Sequence, residues 1–163
     1  MRVFKYDRKS AKEYAKKWAY QRNPAYLNFD NLGGDCTNFV SQCIYNGANV
    51  MNYSKNGWYY KNGNDKSPSW TGVNFLENFL LKNKSVGPFA KLANIDELEI
   101  GDIIQLSFDG TNFGHSLIIV EKTGQSFDEI FVATHTFDSY GRKMSSYMYE
   151  SSRLLHIEGI RNW

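Results

Sequence analysis

The chain has 163 residues, of which 42% are hydrophobic, 22% charged and 16% aromatic. That is one domain's length, enough to bury a sizeable core without staples. Three Pro and 13 Gly exclude collagen-like and low-complexity classes, and the apolar share argues against disorder. Nineteen Lys and Arg against 17 Asp and Glu leave a formal charge of +2, which makes no electrostatic case for nucleic acid.

No apolar run approaches the roughly 18–20 residues of a membrane helix. The opening MRVFKYDRKSAKEYAKK has no apolar core of secretory type, so no signal is expected within it. Both the cytoplasm and export after loss of a signal stay open as locations.

Residues 7–22 read as a first helix. Ala11, Tyr14, Ala15, Trp18 and Ala19 form its apolar stripe, Asp7 or Ser10 caps it, and Pro24 ends it. A second helix begins at Cys36 and runs to about Asn46, with Gly47 as its stop. Cys36, Phe39, Val40, Cys43 and Ile44 lie on one stripe.

Residues 47–69 show no period and read as a long polar loop with a short hairpin near Trp58-Tyr59-Tyr60. A third helix follows Ser69, with Trp70, Val73, Leu76 and Leu80 on one face. The second half then turns to strands: Asp102–Ser107, His115–Glu121, Glu129–His135 and Leu154–Gly159. Helices first and strands afterwards predict one α+β domain, residues 1–163, with helices packed on an antiparallel sheet.

Cys36 and Cys43 are too far apart to bridge, since seven helical residues rise about 10 Å and a disulfide tolerates roughly 7 Å between Cα atoms. Cys43 reads as core filler. Cys36 stands at a helix start, after Gly33-Gly34-Asp35. Helix N-termini present unpaired N–H groups and partial positive charge, which favour a thiolate and can bind an oxyanion. Asp35 could equally be an ordinary N-cap.

A base is available in the strands. A hairpin centred on Gln125 would pair His115 with His135 on one face, close enough for one imidazole to orient the other. A register slip of one residue would separate them. Cys36, His115 and His135 then read as nucleophile, general base and orienting group, with Asp138 as the rival orienter. His156 reads as structural, without a candidate partner.

Gly33-Gly34-Asp35-Cys36-Thr37-Asn38-Phe39-Val40-Ser41-Gln42 closely resembles the nucleophile motif of the Putative amidase domain family, which has a papain-like fold and is related to the NlpC/P60 and CHAP cysteine peptidases. Gly101-Asp102-Ile103-Ile104, Gly114-His115-Ser116 and Thr134-His135-Thr136 with Asp138 resemble that group's strand, catalytic-histidine and third-residue segments. Arg22-Asn23-Pro24 and Tyr26 resemble its lead-in. The likeness spans about residues 10–160.

It implies thiol-dependent hydrolysis of an amide bond without a cofactor, often in bacterial cell-wall (peptidoglycan stem) peptides. It also implies that Tyr26 and Asp35 shape the substrate site. The chain shows no wall-binding repeats, which counts against the wall substrate but not the thiol chemistry.

Two other classes compete. Cys36, His115 and His135 would supply three zinc ligands, although no CxxC or HxxxH spacing supports them. A non-catalytic peptide- or glycan-binding module would use Trp58, Tyr59, Tyr60 and Trp70 as an aromatic surface. On the enzyme hypothesis, Trp58 and Trp70 are expected to wall a cleft over Cys36.

Overall fold

A computed structural model describes residues 1–163. Asp7 caps the first helix, accepting from the Ser10 N–H at 3.0 Å and the Ser10 hydroxyl at 2.7 Å. This helix, α1 (Arg8–Trp18), stops short of residue 22. The Trp18 carbonyl instead accepts from His135 Nε2 at 2.8 Å.

Helix α2 (Cys36–Ala48) runs past its expected stop and ends on Asn49 in the left-handed conformation, φ 52°. Gly47 serves another purpose. A Cβ there would lie 2.3 Å from the Tyr6 ring and 2.7 Å from the Asp7 carbonyl, so the glycine permits close approach of the N-terminal segment.

The region 47–69 holds β2 (Tyr60–Asn62) and β3 (Asp65–Lys66), a small hairpin close to the expected place. The expected third helix is two, α3 (Pro68–Thr71) and α4 (Val73–Lys82), broken at the extended Gly72.

The large sheet is antiparallel. It contains β1 (Arg2–Phe4), β4 (Gly87–Leu92), β5 (Ile103–Ser107), β6 (Phe113–Lys122), β7 (Ile130–Thr134), β8 (Ser139–Lys143) and β9 (Ser151–Asn162). The path is β1-β9-β5-β6-β7-β8, with β4 on the other side of β9. Strands β5 to β8 form a meander, and β9 returns beside β5. The α+β expectation therefore holds. The strands absent from the sequence reading are β1, β4 and β8, all on edges of the sheet, where half-polar stretches such as SYGRK carry no alternating signal.

Helices cover one face. Phe39, Val40, Cys43 and Ile44 of α2 join Ile103, Ile118, Val120 and Ala133 of the sheet in the main core. The opposite face carries a smaller cluster that includes Leu106, Leu117, Ile119, Val132 and Met144. No helix is long and apolar enough to cross a membrane.

Trp58 and Trp70 belong to the main core, with no exposed surface. Their indole N–H groups donate to Ser41 Oγ at 3.1 Å and Asn38 Oδ1 at 3.0 Å. This corrects the expected cleft wall and removes the aromatic binding surface, since Tyr60 is buried with them. Their hydrogen-bond partners lie on α2, so the polar loop folds back under the helix rather than over the thiol.

Candidate active site

Gly33 and Gly34 have φ of 99° and 103°, a left-handed pair that delivers the chain into α2. Asp35 occupies the N-cap position but makes no capping bond. Its carboxylate accepts from the Phe29 N–H at 2.8 Å and from Asn38 Nδ2 at 2.9 Å, and it faces His135 Nδ1 at 2.5 Å. The side chain is almost wholly buried and ties the start of α2 to the preceding loop and to the end of β7.

Cys36 is 7% exposed. Burial pushes its thiol pKa up; N–H groups of Ser116 and Thr37 and the Thr37 hydroxyl pull it down, while Asp35 pushes it up. Burial wins, so the resting sulfur is a thiol, against the thiolate expected from the helix terminus alone. The Thr37 hydroxyl lies 3.8 Å from Sγ and 2.9 Å from Ser116 Oγ, which ties α2 to the start of β6.

His115 immediately precedes Ser116. Its side chain leaves the sheet on the face of the smaller cluster, as does that of Leu117 two residues on. It packs between the rings of Phe108 and Tyr147, each with a centroid 6.2 Å away, and makes no hydrogen bond, to Cys36 or to any other residue. Burial, aided by the Arg142 charge, lowers its pKa to about 4. It is a neutral imidazole at neutral pH.

His135 does not orient His115. The β6–β7 register pairs Ile118 with Ala133 and Ile119 with Val132, one residue off the expected register, so the two histidines leave the sheet on opposite faces. His135 stacks on Phe39 at 4.1 Å and spends both ring nitrogens, on Asp35 and the Trp18 carbonyl. A carbonyl only accepts, so Nε2 carries a proton. Asp138 is no orienter either: Arg22 donates to both of its oxygens, at 3.0 and 2.9 Å.

With the two histidines on opposite faces of the sheet, the three proposed zinc ligands do not converge, and no group of three or more His, Cys, Asp and Glu is arranged to hold a metal. Tyr26 is half-buried against Tyr60 and Trp70, lining a small polar recess with Asp35 and His135.

Sequence reasoning passed over Arg22 as a clamp. It binds Asp30 as well as Asp138, and these carboxylates hold it protonated. It also passed over Phe108 and Tyr147 beside His115. Neither has a local signal, because both meet the histidine only through the sheet. His156 does have a partner: Asp102 lies 2.7 Å from its Nδ1, far down β5 from the thiol.

The family model described as "Putative amidase domain" matches residues 5–157. A Bacillus subtilis (strain 168) protein named "Uncharacterized protein YhbB" is 36% identical over 155 residues, which is 93% of this chain and 47% of that protein. The chain thus spans about half the length of this curated relative. No solved structure matches. The match extends from the segment before α1 into β9 and takes in Cys36 and His115, so the chain belongs to the Putative amidase domain family.

Proposed function

We propose that the chain is a thiol-dependent amide hydrolase of papain-like type, with Cys36 as nucleophile and His115 as general base. One observation carries this reading. Asp35 turns its carboxylate to His135 and leaves the first N–H groups of α2 uncapped, at the residue where the thiol meets the backbone of His115-Ser116. Uncapped N–H groups at a helix start suit the oxyanion of a tetrahedral intermediate.

Burial keeps both partners neutral at rest, so this is general-base catalysis and not a preformed ion pair. Cys36 Sγ bonds to the carbonyl carbon while its proton passes to His115, and the carbonyl electrons move to oxygen. Collapse breaks the C–N bond, and His115 returns the proton to the leaving amine. Water then attacks the thioester, giving a proton to His115, and that proton goes back to sulfur as the acid departs. His115 leaves the sheet on the other face from α2, so its ring has to swing round β6 toward Sγ; no hydrogen bond holds it back, and catalytic bonds often tighten only with substrate bound.

Peptides of the bacterial cell wall are one substrate class to test beside general peptide libraries, with mass spectrometry of products. Cys36→Ala and His115→Gln should each lower hydrolysis by at least ~100-fold, and iodoacetamide should label Cys36 before the fully buried Cys43. Full activity in Cys36→Ala would end the proposal.

A further inference from the structure

Four loops gather at the end of the sheet that carries Cys36. Three of the elements they adjoin meet at Ser116. Its hydroxyl meets Thr37 of α2, its carbonyl accepts from Thr134 at the end of β7, and Gln105 Nε2 of β5 donates to its hydroxyl. The entry to β9 joins them, since Glu150 N–H donates to the Ser107 carbonyl at 2.9 Å. Each loop leaves a large apolar side chain in solvent: Leu32 at 62%, Phe108 at 53%, Phe137 at 88% and Met148 at 92%.

Single exposed apolar residues are ordinary, but these do not scatter. Phe108 packs on His115, and Met148 follows Tyr147, the other ring on that histidine. Phe137 follows Thr136, whose Oγ1 would lie 3.6 Å from a Cβ on Gly34, two residues before Cys36.

The β7–β8 turn is also strained. Thr136 and Phe137 have φ of 67° and 57°, a conformation costly for a β-branched and for an aromatic residue. Both ends of the turn are pinned, His135 by Asp35 and Asp138 by Arg22. These polar groups are spent on one another, so what the turn offers a ligand is the exposed ring of Phe137.

We infer that these four side chains form an apolar rim that selects peptides with large apolar residues flanking the scissile amide. The inference rests on Cys36 and His115 acting as proposed. His115 protonates the leaving amine, so the amine-side residue lies against Phe108 and Met148. The carbonyl-side residue lies against Leu32 and Phe137.

The test is an internally quenched peptide library, varied on both sides of the cleaved bond and treated with the 163-residue chain. Phe, Leu or Met at these positions should give kcat/KM at least tenfold above Glu or Lys. Phe137→Ser should erase the carbonyl-side preference and Met148→Ser the amine-side one, mainly through KM. Cleavage with no preference, or with a preference for charge, overturns the rim and spares the thiol chemistry. If no peptide is cleaved the proposed activity fails, and the Cys36→Ala protein then decides the rim by fluorescence anisotropy. Binding of apolar peptides that Phe137→Ser abolishes sustains it, and no binding overturns it.

Discussion

His135 meets Asp35, the residue before Cys36, at 2.5 Å across 100 residues of chain. The pair joins the start of α2 to the end of β7, and His135 Nε2 adds the end of α1 through the Trp18 carbonyl. A buried polar pair of this kind is costly to break from one side, because the survivor keeps its desolvation penalty. Asp35→Ala should destabilise by about 3 kcal/mol, or lower Tm by roughly 10 °C for a domain of this size. Asp35→Asn combined with His135→Gln should cost clearly less than the sum of the singles in thermal denaturation. Additive costs would mean that the two residues do not act as a pair.

His115 sets a second expectation, in pH. Its folded pKa is lowered to about 4 from an ordinary 6.5. Only the neutral ring accepts a proton from Cys36, so the acid limb of kcat/KM should fall near pH 4 and not near 6.5. Stability follows the same linkage. The unfolded chain binds this proton first as pH drops, so stability is full above pH 6.5 and is lost progressively toward pH 4. The difference in unfolding free energy between pH 7 and pH 4.5 should shrink in His115→Gln. Arg142→Gln removes a neighbouring cation and should move the acid limb upward, by less than burial has moved it down.

How much of this was legible beforehand depends on whether the contact is local. The Cys36 helix, with its glycine lead-in, rests on i, i+3, i+4 spacing and turn chemistry, and its start and buried stripe stand as expected although it runs past Gly47. The four main strands were visible for the same reason. The His115–His135 pairing depended on the exact register of a hairpin whose first strand, β6, carries a bulge between Ile119 and Glu121. One residue there changes which face each histidine occupies. The tryptophans misled because a polar, aperiodic stretch suggested surface, whereas the rings pack under α2 with their N–H groups satisfied.

Those tryptophans now carry a stability prediction. Each is fully buried, and their ring centroids lie 4.8 Å apart. Trp58→Ala or Trp70→Ala should cost about 3–5 kcal/mol. Urea denaturation should show this as a lower midpoint. Trp70→Phe should cost less, because it keeps most of the packing and loses the bond to Asn38. A Trp70→Ala protein as stable as the parent would place the ring outside the core.

Asp102 shows what the Gly101-Asp102 strand start is for. It is fully buried, accepts from Arg8 Nη1 at 2.7 Å and from the N–H groups of Glu99 and Ile157, and holds His156. It therefore locks α1 and β9 onto β5 at the end away from the thiol. Asp102→Asn turns an amide donor toward Arg8 or a backbone N–H, which can only donate, and should cost about 2–4 kcal/mol. Cys36 alkylation in the protein that remains folded should proceed at the parental rate. A marked change in that rate with unaltered stability would mean that this network acts on the site.

The β7–β8 turn brings stability and proposed function into opposition. Four residues, 135–138, join β7 to β8, and both central ones have positive φ, where Asn and Gly are favoured, yet this turn holds Thr136-Phe137. Left-handed backbone costs such residues of order 1–3 kcal/mol each, and the pinning by Asp35 and Arg22 keeps it in place. The paired change Thr136→Asn and Phe137→Gly removes that strain, offset in part by the greater freedom of glycine when unfolded. The net effect should be a gain of about 1 kcal/mol, or roughly 2–4 °C in Tm. If Phe137 grips substrate, the same protein should show a raised KM for apolar peptides. Stabilisation with unchanged KM would reduce the strain to a local accident of sequence, and destabilisation would mean that the Phe137 ring itself contributes to the fold.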